Sequence, residues 1–230
     1  MNNQWKEFIS DKKRAILFGF LLVTCLFFVS MFTRFMIWNE GRAGYILNDH
    51  ILNIFQPINL SRLTMSLTLI PIFIGMLLIF RKPASTVYFF FLGIFICVLR
   101  ALTLYLVPLD PPLGIIPLTD PIIEKLFYGG NVLKKDLFFS GHTANIIIIG
   151  LLADIKIYRN IMYACAAIVG FLLMWQHVHY SIDVFAAPFF AVLAYKMSVY
   201  AGNHTLLRQF KSIQCNGSIF GKYQGLKEGI

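Results

Sequence analysis

The chain has 230 residues, of which 58% are hydrophobic and only 13% charged, with a formal net charge of +9. Soluble domains carry roughly 45–50% apolar and about 25% charged residues, so this composition excludes a single water-soluble globule. It excludes disorder and a disulfide-stapled secreted domain for the same reason.

A membrane helix needs roughly 20 apolar residues, so there is room for about six spans. Six runs fit in chain order: Ala15–Trp38, Leu63–Phe80, Thr86–Val107, Leu137–Ile155, Ile161–His177 and Ile182–Tyr200. All are expected to be helical, because a lipid-embedded backbone must satisfy its polar groups within its own segment or in a closed barrel. Their unbroken apolar character is unlike the alternation of barrel strands. The expected fold class is therefore all-α, a polytopic membrane protein with six transmembrane helices in one bundle. Pro71 and Pro188 fall inside the second and sixth runs, where they favour kinks. Lys12, Lys13 and Arg14 precede the first run, which is too long for a signal peptide and lacks a small-residue cleavage site. It reads as an uncleaved anchor.

Residues 1–14 then form a cytoplasmic N-terminus, 15–200 the six-span unit, and 201–230 a basic cytoplasmic tail. The basic residues set this orientation. With the N-terminus inside, 13 of the 20 lysines and arginines fall on the cytoplasmic side, among them Arg81, Lys82, Lys156 and Arg159. Seven of the 11 acids fall on the opposite side: Glu40, Asp49, Asp110, Asp120, Glu124, Asp136 and Asp183. Cys25, Cys97 and Cys165 lie in apolar runs and Cys215 in the tail, with no metal or redox spacing. Basic residues in so apolar a chain fix topology and meet anionic lipid heads, and no nucleic-acid partner is expected.

The connection at residues 108–135 holds five of the nine prolines, interleaved with Leu113, Ile115, Ile116 and Leu118. An apolar, bent loop of this length either guides lipid towards a site or caps the helix ends. Two stretches carry the chemistry. Asp136-Leu-Phe-Phe-Ser140-Gly141-His142-Thr143 opens the fourth run, and His177-Val-His179-Tyr180-Ser181-Ile-Asp183 joins the fifth to the sixth. Alternating spans bring both to one membrane face, so His142, His179 and Asp183 can converge.

Two histidines can serve as nucleophile and acid/base for a phosphate ester without a metal. Asp183, four residues after His179, can reach one ring nitrogen across a helical turn and fix its tautomer. Ser140, Gly141 and Thr143 at a helix start offer a hydroxyl, unpaired amides and close backbone approach for an anion. Arg100 in the outer third of the third run is a functional candidate as an intramembrane arginine, or else a side chain snorkelling to the headgroups. Lys134 and Lys135 read as a solvated or lipid-binding pair. A metal site or transporter built on His142, His177, His179 and Asp183 is the non-enzyme alternative.

The pairing of Ser140-Gly141-His142-Thr143 with His179-Tyr180-Ser181-Ile182-Asp183 resembles sphingomyelin synthase and its relatives, a branch of the type-2 phosphatidic acid phosphatase superfamily. The resemblance includes His177, Asp136 and the run from Leu99 through Arg100 and Thr103 to Tyr105, with looser agreement at Asn48-Asp49. It implies that His179 is the nucleophile forming a phospho-histidine and that Asp183 orients it. His142 would protonate the leaving diacylglycerol and then deprotonate the acceptor. Ser140, Gly141, Thr143, Arg100, Tyr105, Asp136 and His177 would bind substrate or its phosphate, and no cofactor is required. The implied partners are membrane lipids, with a glycerophospholipid as donor and ceramide or another lipid alcohol as acceptor. A homo-oligomer remains open. Lipid phosphate phosphatases in the superfamily carry an Arg-Pro pair, absent here, and an arginine where this chain has Leu173. With fewer cations to neutralise a dianion, a singly charged phosphodiester donor is favoured. Hydrolysis, as in a lipid phosphate phosphatase or a phospholipase C-like enzyme, is the alternative within the enzyme class.

Overall fold

The computed structural model describes residues 3–118 and 132–207. Among them are seven α-helices and no strand: α1 (Asn3–Ser10), α2 (Lys12–Glu40), α3 (Ser61–Ile79), α4 (Pro83–Leu106), α5 (Gly141–Leu152), α6 (Lys156–Trp175) and α7 (Ser181–His204). The second half of the proline-rich connection, with Pro121, and the basic residues of the tail from Arg208 onward lie outside the described residues.

Each boundary has a local cause. The Asp11 carboxylate caps α2 by accepting from the amides of Lys13 and Arg14 at 2.9 and 3.3 Å. Asn59 accepts from the Ser61 amide at the head of α3 at 3.1 Å. Pro83 opens α4, where its missing N–H costs nothing. Ser140 caps α5, its hydroxyl accepting from the Thr143 amide at 3.4 Å. Pro71 and Pro188 sit inside the continuous helices α3 and α7.

Five of the helices, α2, α3, α4, α6 and α7, are long and apolar enough to cross a membrane. The chain is a polytopic helical membrane protein. The fourth run departs from expectation, since helix occupies only the 12 residues Gly141–Leu152 rather than Leu137–Ile155. The non-helical lead-in is held from the side: Arg100 Nη1 donates to the Phe139 carbonyl at 2.6 Å and Thr103 Oγ1 to that of Phe138 at 3.1 Å. Those carbonyls are therefore unavailable to a helix. Ala153 is extended at the other end. Helix α2 is longer than its apolar run, and α6 stops at Trp175 because His177 takes a left-handed backbone, φ 57°.

Helix α5 packs against α3, α6 and α7, while α4 bridges α2 and α7. The main core gathers Leu92 and Ile96 from α4, Ile146–Ile149 from α5, Val169 and Leu173 from α6, and Ala187, Ala191 and Ala194 from α7. Small residues allow the closest approach. A Cβ at Gly170 would stand 2.6 Å from Val184 and 3.5 Å from the Thr143 hydroxyl, so this glycine lets α6 meet α5 and α7 together. The outer faces remain apolar and uncovered, as at Phe20, Phe27, Leu106 and Phe189. In a bilayer such faces meet acyl chains.

The two ends of the bundle are distinct. At one end the loops after α2 and α4, the lead-in to α5 and the α6–α7 turn interlock. At the other, α1 docks beside α4, Trp5 Nε1 donates to the Phe80 carbonyl at 2.9 Å, and Lys82 pairs with Asp154 at 2.6 Å.

Candidate functional site

The first end holds the polar side chains. His179 and Asp183 are almost wholly buried, and His179 Nδ1 lies 3.3 Å from Asp183 Oδ2. The same oxygen accepts from the Tyr180 amide at 3.0 Å, fixing the carboxylate at the head of α7. With Asp183 Oδ2 accepting a hydrogen bond from the Nδ1–H of His179, the free lone pair of the ring resides on Nε2. Asp183 Oδ1 is buried and has no partner among the described residues.

His142 stands on the first turn of α5, its ring centroid 6.4 Å from that of His179 and the planes inclined at 66°. Its Nδ1 is buried and has no hydrogen-bond partner among the described residues. A backbone bond ties the two halves together, because the Ser140 amide donates to the Asp183 carbonyl at 3.0 Å. The starts of α5 and α7 are thereby joined directly, although Gly141 and Ser181 lie 40 positions apart in the chain.

Arg100 is buried beneath this junction. Besides Phe139 it pairs with Asp136, and its guanidinium lies over the rings of Phe32 and Phe139. A Cβ at Gly141 would approach Arg100 Nη1 to 2.5 Å. Glycine is required here by the arginine packed under the helix start. Ser140 and Thr143 are buried and share their hydroxyls at 3.2 Å.

Other expected residues stand apart from the histidine pair. Both ring nitrogens of His177 face loop carbonyls, Leu113 at 3.0 Å and Phe55 at 3.1 Å. Tyr105 is exposed, stacked near Trp38 with the Arg42 guanidinium 5.0 Å from its ring. Lys135 reaches Asp110 at 2.7 Å and the Arg42 carbonyl, while the amides of Lys134 and Lys135 donate to Glu40. The Lys135 ammonium holds the Asp110 carboxyl below the usual range. Among the described residues, no three His, Cys, Asp or Glu side chains converge to hold a metal ion.

Three supporting residues have no role in the reading of the sequence: Asp49 and Tyr180 stand there only in the acid pattern and in the motifs of the resemblance, and Gln176 is not singled out. Asp49 accepts from the Ser181 amide at 2.7 Å and from those of Ile51 and Leu52 at 3.0 and 3.3 Å. Burial raises its pKa, but these hydrogen bonds outweigh burial and leave it below the ordinary value. A carboxylate from the loop between α2 and α3 thus caps the helix that carries Asp183. Gln176 donates to Ser61 and to the Ile116 carbonyl and accepts from the Leu60 amide, at 2.8, 2.9 and 3.0 Å. The Tyr180 hydroxyl donates to the Asp110 carbonyl at 2.9 Å. A neutral amide closing an apolar run was the one available signal for Gln176.

Residues 135–200 match the family model described as PAP2 superfamily C-terminal. The matched segment contains His142, His179 and Asp183, and it supports the type-2 phosphatidic acid phosphatase superfamily without selecting a branch. That superfamily implies an enzyme acting on lipid phosphoesters, as a phosphatase or phosphotransferase. No curated protein and no solved structure matches the chain.

Proposed function

We propose that the chain transfers a phosphoryl headgroup from a glycerophospholipid to a lipid alcohol such as ceramide, at the external leaflet, through a phospho-histidine. The observation that carries this reading is the pair of imidazoles facing each other across 6.4 Å, one of them backed by a buried carboxylate.

In the first half-reaction the Nε2 lone pair of His179 attacks phosphorus as the bond to the diacylglycerol oxygen breaks. His142 gives that oxygen a proton. In the second, His142 takes the proton of the acceptor hydroxyl, the new P–O bond forms, and the N–P bond returns its electrons to Nε2. Asp183 stabilises the imidazolium character that His179 acquires as its Nε2 bonds to phosphorus. The start of α5 supplies amides and a positive dipole end to the phosphate. The nearest arginine, Arg100, is committed to Asp136 and the Phe139 carbonyl, which supports a singly charged phosphodiester over a dianionic monoester.

The test is incubation of the purified protein with headgroup-labelled phosphatidylcholine or phosphatidylethanolamine and ceramide. A labelled ceramide product and an alkali-stable, acid-labile label on the protein are expected. His179→Ala should lower turnover by about three orders of magnitude or more. The family match also favours a second reading, hydrolysis. Inorganic phosphate released from phosphatidic acid, with no headgroup transfer, would establish that instead.

A further inference from the structure

Helix α5 is the most enclosed of the bundle. From Thr143 to Leu152 eight residues are buried and Leu151 is half-buried, leaving Asn145 as the single exposed position. That position carries a carboxamide, which makes no hydrogen bond among the described residues. An amide group unsatisfied in hydrocarbon costs several kcal/mol by transfer scales, so an apolar side chain would serve better if lipid tails were all it met.

Asn145 follows His142 by three residues, so the two share one edge of the helix. His142 too is incompletely covered, and its buried Nδ1 has no partner among the described residues. At 1.5 Å per residue Asn145 lies about 4.5 Å further along the axis, towards the bilayer centre. A lipid whose phosphate sits beside His142 places its acyl-linkage carbonyls in that direction, a few bonds below phosphorus. The wall of α5 therefore opens where the polar linkage of such a lipid comes to rest, and a donor waits there.

We propose that Asn145 is a specificity-determining residue whose Nδ2 donates a hydrogen bond to the acyl carbonyl of the lipid held between His142 and His179. The inference rests on the lipid headgroup reaction proposed above. The carbonyl belongs either to the ester of the donor glycerophospholipid or to the amide of an N-acyl acceptor, which are the same chemistry from two sources.

Turnover of the full-length protein in mixed micelles tests it with two pairs of lipids. One pair is a diacyl phospholipid and its dialkyl ether analogue with the same headgroup, with ceramide as acceptor. The other is ceramide and its N-alkyl analogue, with the diacyl donor held fixed. In at least one pair the carbonyl-bearing lipid should be favoured about five- to tenfold in kcat/KM, the worth of one neutral hydrogen bond. Asn145→Leu should bring that ratio to about one by slowing only the carbonyl-bearing lipid, with the melting temperature unchanged or raised. Asn145→Ala should do the same without the added bulk. No preference in the wild type, a preference that survives both variants, or equal slowing of both members of a pair would overturn the proposal. If His179-dependent turnover persists in any of these cases, the role of Asn145 alone falls. If the wild type acts on none of these lipids, the transfer reading falls and takes this inference with it.

Discussion

Gly141 shows how a single missing methyl group decides the site. The buried guanidinium of Arg100 occupies the space a side chain would need, and it is held there by Asp136 and a carbonyl. Gly141→Ala must displace one of them, and overpacking of this kind costs about 1–3 kcal/mol. A lower melting temperature in detergent, together with reduced turnover, is the expected outcome. The His142, His179 and Asp183 constellation was legible because the i,i+4 spacing and the alternation of spans are both local rules. His177 was not. Its expected place among the phosphate ligands overlooked carbonyls 64 and 122 residues away, and neither Leu113 nor Phe55 carries any pattern that announces the contact. Tyr105 shares that fate, since its partners Trp38 and Arg42 belong to another helix and its loop.

At the scale of elements, the head of α7 depends on a loop far from it in sequence. Asp49 caps it, and the depressed pKa of that carboxyl fixes the sign of a pH effect. A carboxyl held below its unfolded value of about 3.9 contributes stability above that value and loses it as pH falls through the folded one. The thermal midpoint of the wild type should therefore exceed that of Asp49→Asn near neutrality and converge with it below about pH 4. A gap that widened on acidification would refute the assignment. Element type was readable from apolar length for the six runs, but α1, which lies outside them, and the shortness of α5 were not. Its lead-in is apolar enough for a helix, and only the tertiary bonds from Arg100 and Thr103 draw the carbonyls of Phe138 and Phe139 away.

For the whole molecule, the interlocked loops and the α1 end define two opposed faces, and the excess of basic residues at the α1 end predicts that this end is cytoplasmic. Ile54 and Ile157 are exposed at 74% and 70%, one in the loop before α3 and the other at the head of α6. With Cys25, Cys97, Cys165 and Cys215 replaced by serine, an Ile54→Cys variant should react with an impermeant maleimide added outside intact cells. The Ile157→Cys counterpart should react only after permeabilisation. The reverse pattern would invert the topology and move the histidine pair to the cytoplasmic leaflet.

The brevity of α5 has a consequence for how a greasy reactant is handled. Twelve residues rise about 18 Å, against roughly 30 Å of hydrocarbon, so α5 by itself falls short of the full thickness and its non-helical flanks must make up the rest. On the transfer reading proposed above, a first turn of α5 set at tail depth would bring the histidine pair to the lipid rather than the lipid to the histidines. A two-tailed molecule can slide in sideways with its chains still dissolved among their neighbours, and avoids the roughly 0.8 kcal/mol per methylene that lifting them into water would demand.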